Sequence, residues 1–249
     1  MIEPNNYTLI VGLAFLVAGF VKGVTGMGLP PIAIGLMAVA VAPVQAAALI
    51  VVPSMVSNVW QMLIGPGFSR AVRRFAGLLI MVCIGAAFGV GVLTGSTPAY
   101  ATLALGLVLF VYSVLGLFKF NMHVNAQNER WASPLVGGLT GFLAGATGVS
   151  SVPSAPYMNS LGMSKDELLQ ALGLVFTVGT FALAVGLYFK GRFELAAAWE
   201  STLCLVPTML GMVTGQRCRS LLSAETFKTV FFVGLLALGA YMIARVLWL

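Results

Sequence analysis

The chain has 249 residues, 59% of them hydrophobic and 8% charged, with a mean hydropathy of +1.01. Ordinary soluble domains carry about a quarter charged residues, so this composition excludes a soluble globular protein and predicts one that lies in a bilayer. The formal net charge of +6 does not point to nucleic acid, because Arg70, Arg73, Arg74, Arg217 and Arg219 sit in short segments between apolar stretches, the pattern of cytoplasmic membrane loops.

In chain order, apolar stretches fall at roughly 7–42, 43–64, 75–94, 100–118, 135–161, 168–189, 195–214 and 227–249. Most are near the ~20 residues that cross a hydrocarbon core, and no segment between them is long enough for a separate soluble domain. The first lacks the basic start of a signal peptide and runs straight into a glycine-rich passage, so it is expected to be retained. Cys83, Cys204 and Cys218 have no paired spacing and read as small buried residues.

That passage, Gly19-Phe-Val-Lys-Gly-Val-Thr-Gly-Met-Gly-Leu-Pro-Pro31, returns in the fifth stretch as Gly141-Phe-Leu-Ala-Gly-Ala-Thr-Gly-Val-Ser-Ser-Val-Pro153. Six of the 13 positions are identical at an offset of 122, where composition alone would give roughly one. Weaker correspondences extend the repeat: Gln45-Ala46 with Gln170-Ala171, Phe68 with Phe193, and Gly85 and Gly89 with Gly211 and Gly215. The polar segment 120–133, with His123, Glu129 and Arg130, falls almost at the midpoint and reads as a connector. The expected plan is therefore a first membrane repeat at 1–120, a linker at 121–133 and a second repeat at 134–249. The expected fold class is an all-α polytopic membrane protein of two four-segment repeats, each opening with a broken helix.

A straight helix over 7–42 would be about 54 Å long against a core of ~30 Å. Glycines and prolines interrupt this stretch and its counterpart, so each is read as two half-helices meeting inside the membrane, which is allowed where backbone lines a polar cavity. As re-entrant hairpins they leave three full crossings per half, an odd number that inverts the second half. The segments at 66–74, 119–133, 161–167 and 215–228 then share one side with nine Lys and Arg, leaving Lys190, Arg192 and Arg245 on the other. As full crossings they would make the halves parallel. The charge asymmetry favours inversion.

Each break should open a new helix. Prolines after Gly28 suit a first turn, and Ser150 and Ser151 are cap-type residues. Two helix N-termini with free N–H groups, converging from related halves, would attract an anion. Gly26, Gly28 and Gly148 permit close backbone approach and positive φ, and Thr25 and Thr147 add hydroxyls at equivalent points. Gly23 and Gly145, with Gly19 and Gly141, fit either this site or a small-residue seam between helices. Lys22 is the one basic residue inside these passages, with Ala144 as its counterpart. An ionisable group at membrane depth is by default functional, the alternative being a side chain that snorkels to the interface. Ser54, Ser57, Asn58 and Gln61 follow helical spacing, as do Gln170, Gly173, Thr177 and Thr180. Such stripes either line a path or hydrogen-bond between helices. Pro53 and Pro207 are predicted kinks, and Glu200 is expected at an interface.

The doubled Gly-x-x-x-Gly-x-x-Gly passage, the two hydrophobic halves, the central polar connector and the length together resemble the sulfite exporter TauE/SafE family of permeases. The resemblance implies a secondary permease of the bacterial inner membrane for small anions, especially sulfur oxyanions such as sulfite and organosulfonates. It maps the family's glycine motifs onto Gly19, Gly23, Gly26 and Gly28 and onto Gly141, Gly145 and Gly148, with Ser150-Ser151 departing from the usual glycines.

An enzyme is not expected. The sole histidine, His123, lies in the connector, there is no HExxH, and no Ser/His pair falls within the apolar stretches. A metal permease would want acidic, His or Cys ligands in the spans, and no metal or cofactor is expected. The reading is a secondary transporter working by alternating access around the two breaks, the alternatives being an anion channel or a permease for small carboxylates. Its expected partners are the anion and the bilayer. A homo-oligomer is compatible with the sequence, and no chain of intramembrane carboxylates assigns a coupling ion.

Overall fold

The computed structural model describes residues 4–38, 40–65, 67–95, 97–118, 126–219, 221 and 223–248. These residues form α1 (Pro4–Thr25), α2 (Leu29–Met37), α3 (Pro43–Leu49), α4 (Val51–Ile64), α5 (Phe68–Gly95), α6 (Pro98–Leu117), α7 (Ala126–Thr147), α8 (Ser154–Asn159), α9 (Lys165–Phe189), α10 (Leu195–Leu203), α11 (Leu205–Cys218) and α12 (Ala224–Trp248). Among them, α1, α5, α6, α9, the α10–α11 run and α12 are each long and apolar enough to cross a bilayer, and the bent pair α3–α4 makes a seventh. Large apolar side chains such as Leu63, Phe88, Leu135, Phe189 and Val230 face outward, as lipid contact requires. The chain is a multi-pass integral membrane protein.

The first apolar stretch is not a pair of half-helices. α1 has 22 residues and α2 has nine, lengths of about 33 Å and 14 Å, so α1 is a full span and only α2 is a half-helix. The second copy divides in the same way, into 22-residue α7 and six-residue α8. The stop signal is the Thr-Gly pair alone, while Gly19 and Gly141 continue the helix. Of the expected linker at 121–133, residues 121–125, with His123, lie outside the described residues, and 126–133 form the first turns of α7. Arg70, Arg73 and Arg74 likewise belong to the first turns of α5, and Arg217 to the last turn of α11. Cys204 is buried and Cys218 partly so, but Cys83 is exposed on the outer face of α5, contrary to its expected burial.

Two helix crossings dominate the packing, and both are made of glycine. Along α1, Gly19 faces Thr208, and Gly23 faces Met212 and Gln216 of α11, which answers with Gly211 against Leu16 and Phe20 and Gly215 against Phe20. Along α5, Gly85 faces Gly138 and Phe142, and Gly89 faces Phe142 and Ala146 of α7, which answers with Gly141 against Val82 and Gly145 against Ala86 and Val90. A Cβ at any of these glycines would overlap the backbone of the facing helix. The small-residue seam is therefore the role of Gly19, Gly23, Gly141 and Gly145 that the packing displays. Residue numbers rise together across both crossings, so α1 runs parallel to α11 and α5 parallel to α7. In contrast, α6 and α12 are antiparallel, with Gly106 near Gly239 and Gly116 against Phe232.

The predicted kink near Pro53 is present, α3 and α4 meeting at 44° around Ile50. Pro53 has no N–H for the Leu49 carbonyl one turn back. That carbonyl instead accepts from Ser201 Oγ of α10 at 2.7 Å, and the same hydroxyl accepts from Val52 N at 3.0 Å. The α10–α11 boundary falls at Cys204, three residues before Pro207. At one end of the bundle Gln45 reaches Tyr7 and Arg245 reaches the Ala38 carbonyl. At the other, Arg74 makes a two-point ion pair with Glu129 at 2.6 and 2.8 Å, and Gln170 binds the Gly65 carbonyl.

Candidate functional site

Lys22 lies in the last turn of α1, where the helix dipole favours a cation. Its Nζ donates to Asn58 Oδ1 of α4. The two residues are only 4% and 1% exposed, so the Lys22 side chain is not on the outer surface; its amino group is held among the helices by a neutral amide. Above this pair opens a cavity of about 380 Å³, lined by Lys22, Gly23, Gly26, Ser57, Trp60, Gln61, Ile64, Gly65, Asp166, Leu169, Gln170, Met212, Gln216 and Arg219. The lining comes from α1 and its break, α4, α9 and the end of α11. Asp166 and Arg219 are exposed and stand at the mouth, on the end of the bundle that carries the Arg74–Glu129 pair.

Two of the glutamines predicted as lining also brace the cavity wall. Gln61 Nε2 donates to the Leu169 carbonyl at 2.8 Å, and Gln170 Nε2 donates to the Met62 and Gly65 carbonyls at 2.9 and 2.7 Å. Each side chain thus satisfies backbone of the opposing helix, locking the end of α4 to the start of α9. Thr177 is outside the cavity lining, its hydroxyl bonded to Gly173 O in its own helix. The Ser54 hydroxyl is buried without a hydrogen-bond partner among the described residues.

The two Thr-Gly pairs do the same structural job. Thr25 Oγ1 donates to Val21 O and accepts from Met27 N, and Thr147 Oγ1 donates to Leu143 O and accepts from Val149 N. Gly26 and Gly148 follow at φ of +79° and +78°, the left-handed cap that ends a helix. The hydroxyl protons expected to face an anion are directed at the chain's own carbonyls, and neither threonine lines the cavity.

The two helix starts expected to attract an anion do not line the cavity. Pro30 and Pro31 follow Leu29 in the first turn of α2 and have no N–H to offer, and Gly28 packs against Phe231 and Val21. In the second copy α8 is a short helix whose N-cap is Pro153, with no side-chain cap bond. Ser150 and Ser151 serve through their carbonyls, which accept from Ser154 Oγ and Ala155 N, and Gly148 packs against Ile34, Ala47 and Ile50. Gly28, Gly145, Thr147, Gly148, Ser150 and Ser151 therefore lie outside the cavity lining. The fully buried Tyr112 of α6 ties the two breaks together, its phenol touching Met27 Sδ at 3.5 Å and lying beside Ser151.

Of the predicted residues, the structure brings Lys22, Gly23, Gly26, Gln61 and Gln170 to one cavity, with Asn58 behind Lys22. Sequence reasoning missed Trp60, Asp166, Met212, Gln216 and Arg219 as lining. The only signal for the last three was the match of Gly211 and Gly215 to Gly85 and Gly89, which marks a crossing face without naming its partner.

The family model for the sulfite exporter TauE/SafE matches residues 11–242. No curated protein and no solved structure matches the chain.

Proposed function

Because the chain belongs to the sulfite exporter TauE/SafE family, it is a multi-pass membrane permease, and we propose that it exports small oxyanions of sulfur, such as sulfite or organosulfonates, through the Lys22 cavity by alternating access. The observation that carries this reading is the buried Lys22 amino group lining a cavity of about 380 Å³. A lysine without a carboxylate partner favours an anionic ligand, and the Gln61 amide keeps one N–H beyond its bond to Leu169 O for the oxygens of an oxyanion. The cavity is also large enough to keep the anion's remaining water.

Alternating access draws support from the paired architecture. The α1–α11 and α5–α7 crossings use corresponding glycines, both run parallel, and they join elements from opposite halves. That exchange is expected when two repeats are related by an axis in the membrane plane, with α2 and α8 as the re-entrant elements. The cavity opens where the Arg-rich helix ends gather, so by the positive-inside tendency it faces the cytoplasm.

Thermal stabilisation of the purified protein by sulfite, thiosulfate, sulfoacetate, sulfate and small carboxylates tests the proposal, since a ligand that binds only the folded state raises its stability. A selective shift with sulfur oxyanions, lost in Lys22→Ala, is expected. A shift with carboxylates alone would reassign the cargo, and a shift unchanged in Lys22→Ala would remove the site.

A further inference from the structure

We propose that the permease carries one proton with each anion and that Lys22 takes up that proton when the anion binds. The inference rests on the anion site at Lys22. An ammonium has three N–H donors; among the described residues Lys22 has one acceptor, the neutral Asn58 amide, and no ion pair. Holding an unpaired charge in that position is costly, whereas a neutral amine bonded to Asn58 is not. An arriving anion reverses the balance by supplying the missing counter-charge.

The groups that face Lys22 do not replace that counter-charge. α4 and α2 contain no titratable residue. α9 contributes Asp166 and the end of α11 contributes Arg219, opposite charges that both stand exposed at the mouth. α12 approaches α1 through Phe227 against Phe20, and its Glu225 and Lys228 are exposed. Glu200 and Cys204 approach the other end of α1, at Tyr7. The proton therefore comes from water in the open cavity: amine, proton and anion become an ammonium–anion pair, and release on the far side returns all three. For a monovalent anion the step moves no net charge, so export follows the anion and proton gradients and not the membrane potential.

The test is calorimetric binding of thiosulfate and of sulfoacetate, both fully ionised from about pH 6 to about pH 9, to the full-length protein in two buffers of different ionisation enthalpy. Wild type is expected to take up about one proton per anion at the alkaline end, with affinity falling about tenfold per pH unit there. Lys22→Arg, which stays charged, is expected to bind more weakly and without proton uptake, and Lys22→Gln to lose most of the affinity and all of the uptake. Anion binding by wild type with no proton uptake across the range would overturn the coupling and leave the site standing. Failure of wild type to bind either anion would overturn the site itself.

Discussion

The two chain breaks, Gly26–Gly28 and Gly148–Pro153, are alike in backbone and unlike in surroundings. In both, a threonine hydroxyl bonds the carbonyl one turn back, a glycine follows with φ near +80°, and that glycine's N–H closes on the carbonyl of Lys22 or of Ala144 at 2.7 and 2.8 Å. Yet the first break lines a cavity through Gly26, beside the buried Lys22, while the second is packed among Ile34, Ala47 and Ile50. The repeated motif specifies where the helices stop and cross. The one ionisable residue of the two passages is unrepeated, Lys22 against Ala144.

The largest effect is expected at what the halves share. Gly19→Leu and Gly141→Leu would each drive a side chain into facing backbone, costing about 3 kcal/mol or more. Loss of a monodisperse peak in size-exclusion chromatography should follow for both, and tolerance of either would mean that its crossing is not tightly packed. Transplanting the charge comes next. Ala144→Lys places an ammonium at a 1% exposed position with no amide prepared for it, at a cost of about 3–5 kcal/mol, and Lys22→Ala/Ala144→Lys should not recover anion binding in a thermal-shift titration.

Lys22→Ala alone should leave the fold intact and weaken anion binding about tenfold to a hundredfold, the worth of one charge-assisted hydrogen bond of about 1.5–3 kcal/mol. Gln170→Leu should lower stability by about 1–3 kcal/mol through two lost bonds to backbone, read as a lower midpoint of thermal unfolding. The smallest effect is expected for Thr25→Val and Thr147→Val, about 1 kcal/mol each, equal within error and with no selective loss of anion affinity. A Thr25→Val effect on affinity that Thr147→Val lacks would return that hydroxyl to the site.

Membrane embedding, the helix ends at Thr25 and Thr147, the Pro53 kink and the inward placement of Lys22, Asn58 and Gln170 were legible in the sequence, because each is written in local composition or helical spacing. The unequal lengths of the broken pieces were not. Gly19 and Gly141 fit either the site or a packing seam until the facing backbone of Thr208 and Val82 shows the seam. Hydropathy also cannot say that Thr25 and Thr147 bond their own helices. The other wall of the cavity, with Gln216 and Arg219, was hidden for a topological reason. It reaches Lys22 only through the parallel crossing of α1 with α11, between segments almost the whole chain apart.

The central claim, that Lys22 forms the binding site of a carrier, is tested most directly by counterflow of radiolabelled sulfite in proteoliposomes preloaded with unlabelled sulfite. Wild type should accumulate label transiently above its equilibrium level with saturable kinetics, and Lys22→Ala, inserted to the same density, should lose most of that overshoot. Non-saturable flux without overshoot, or equal counterflow in the two proteins, would contradict it.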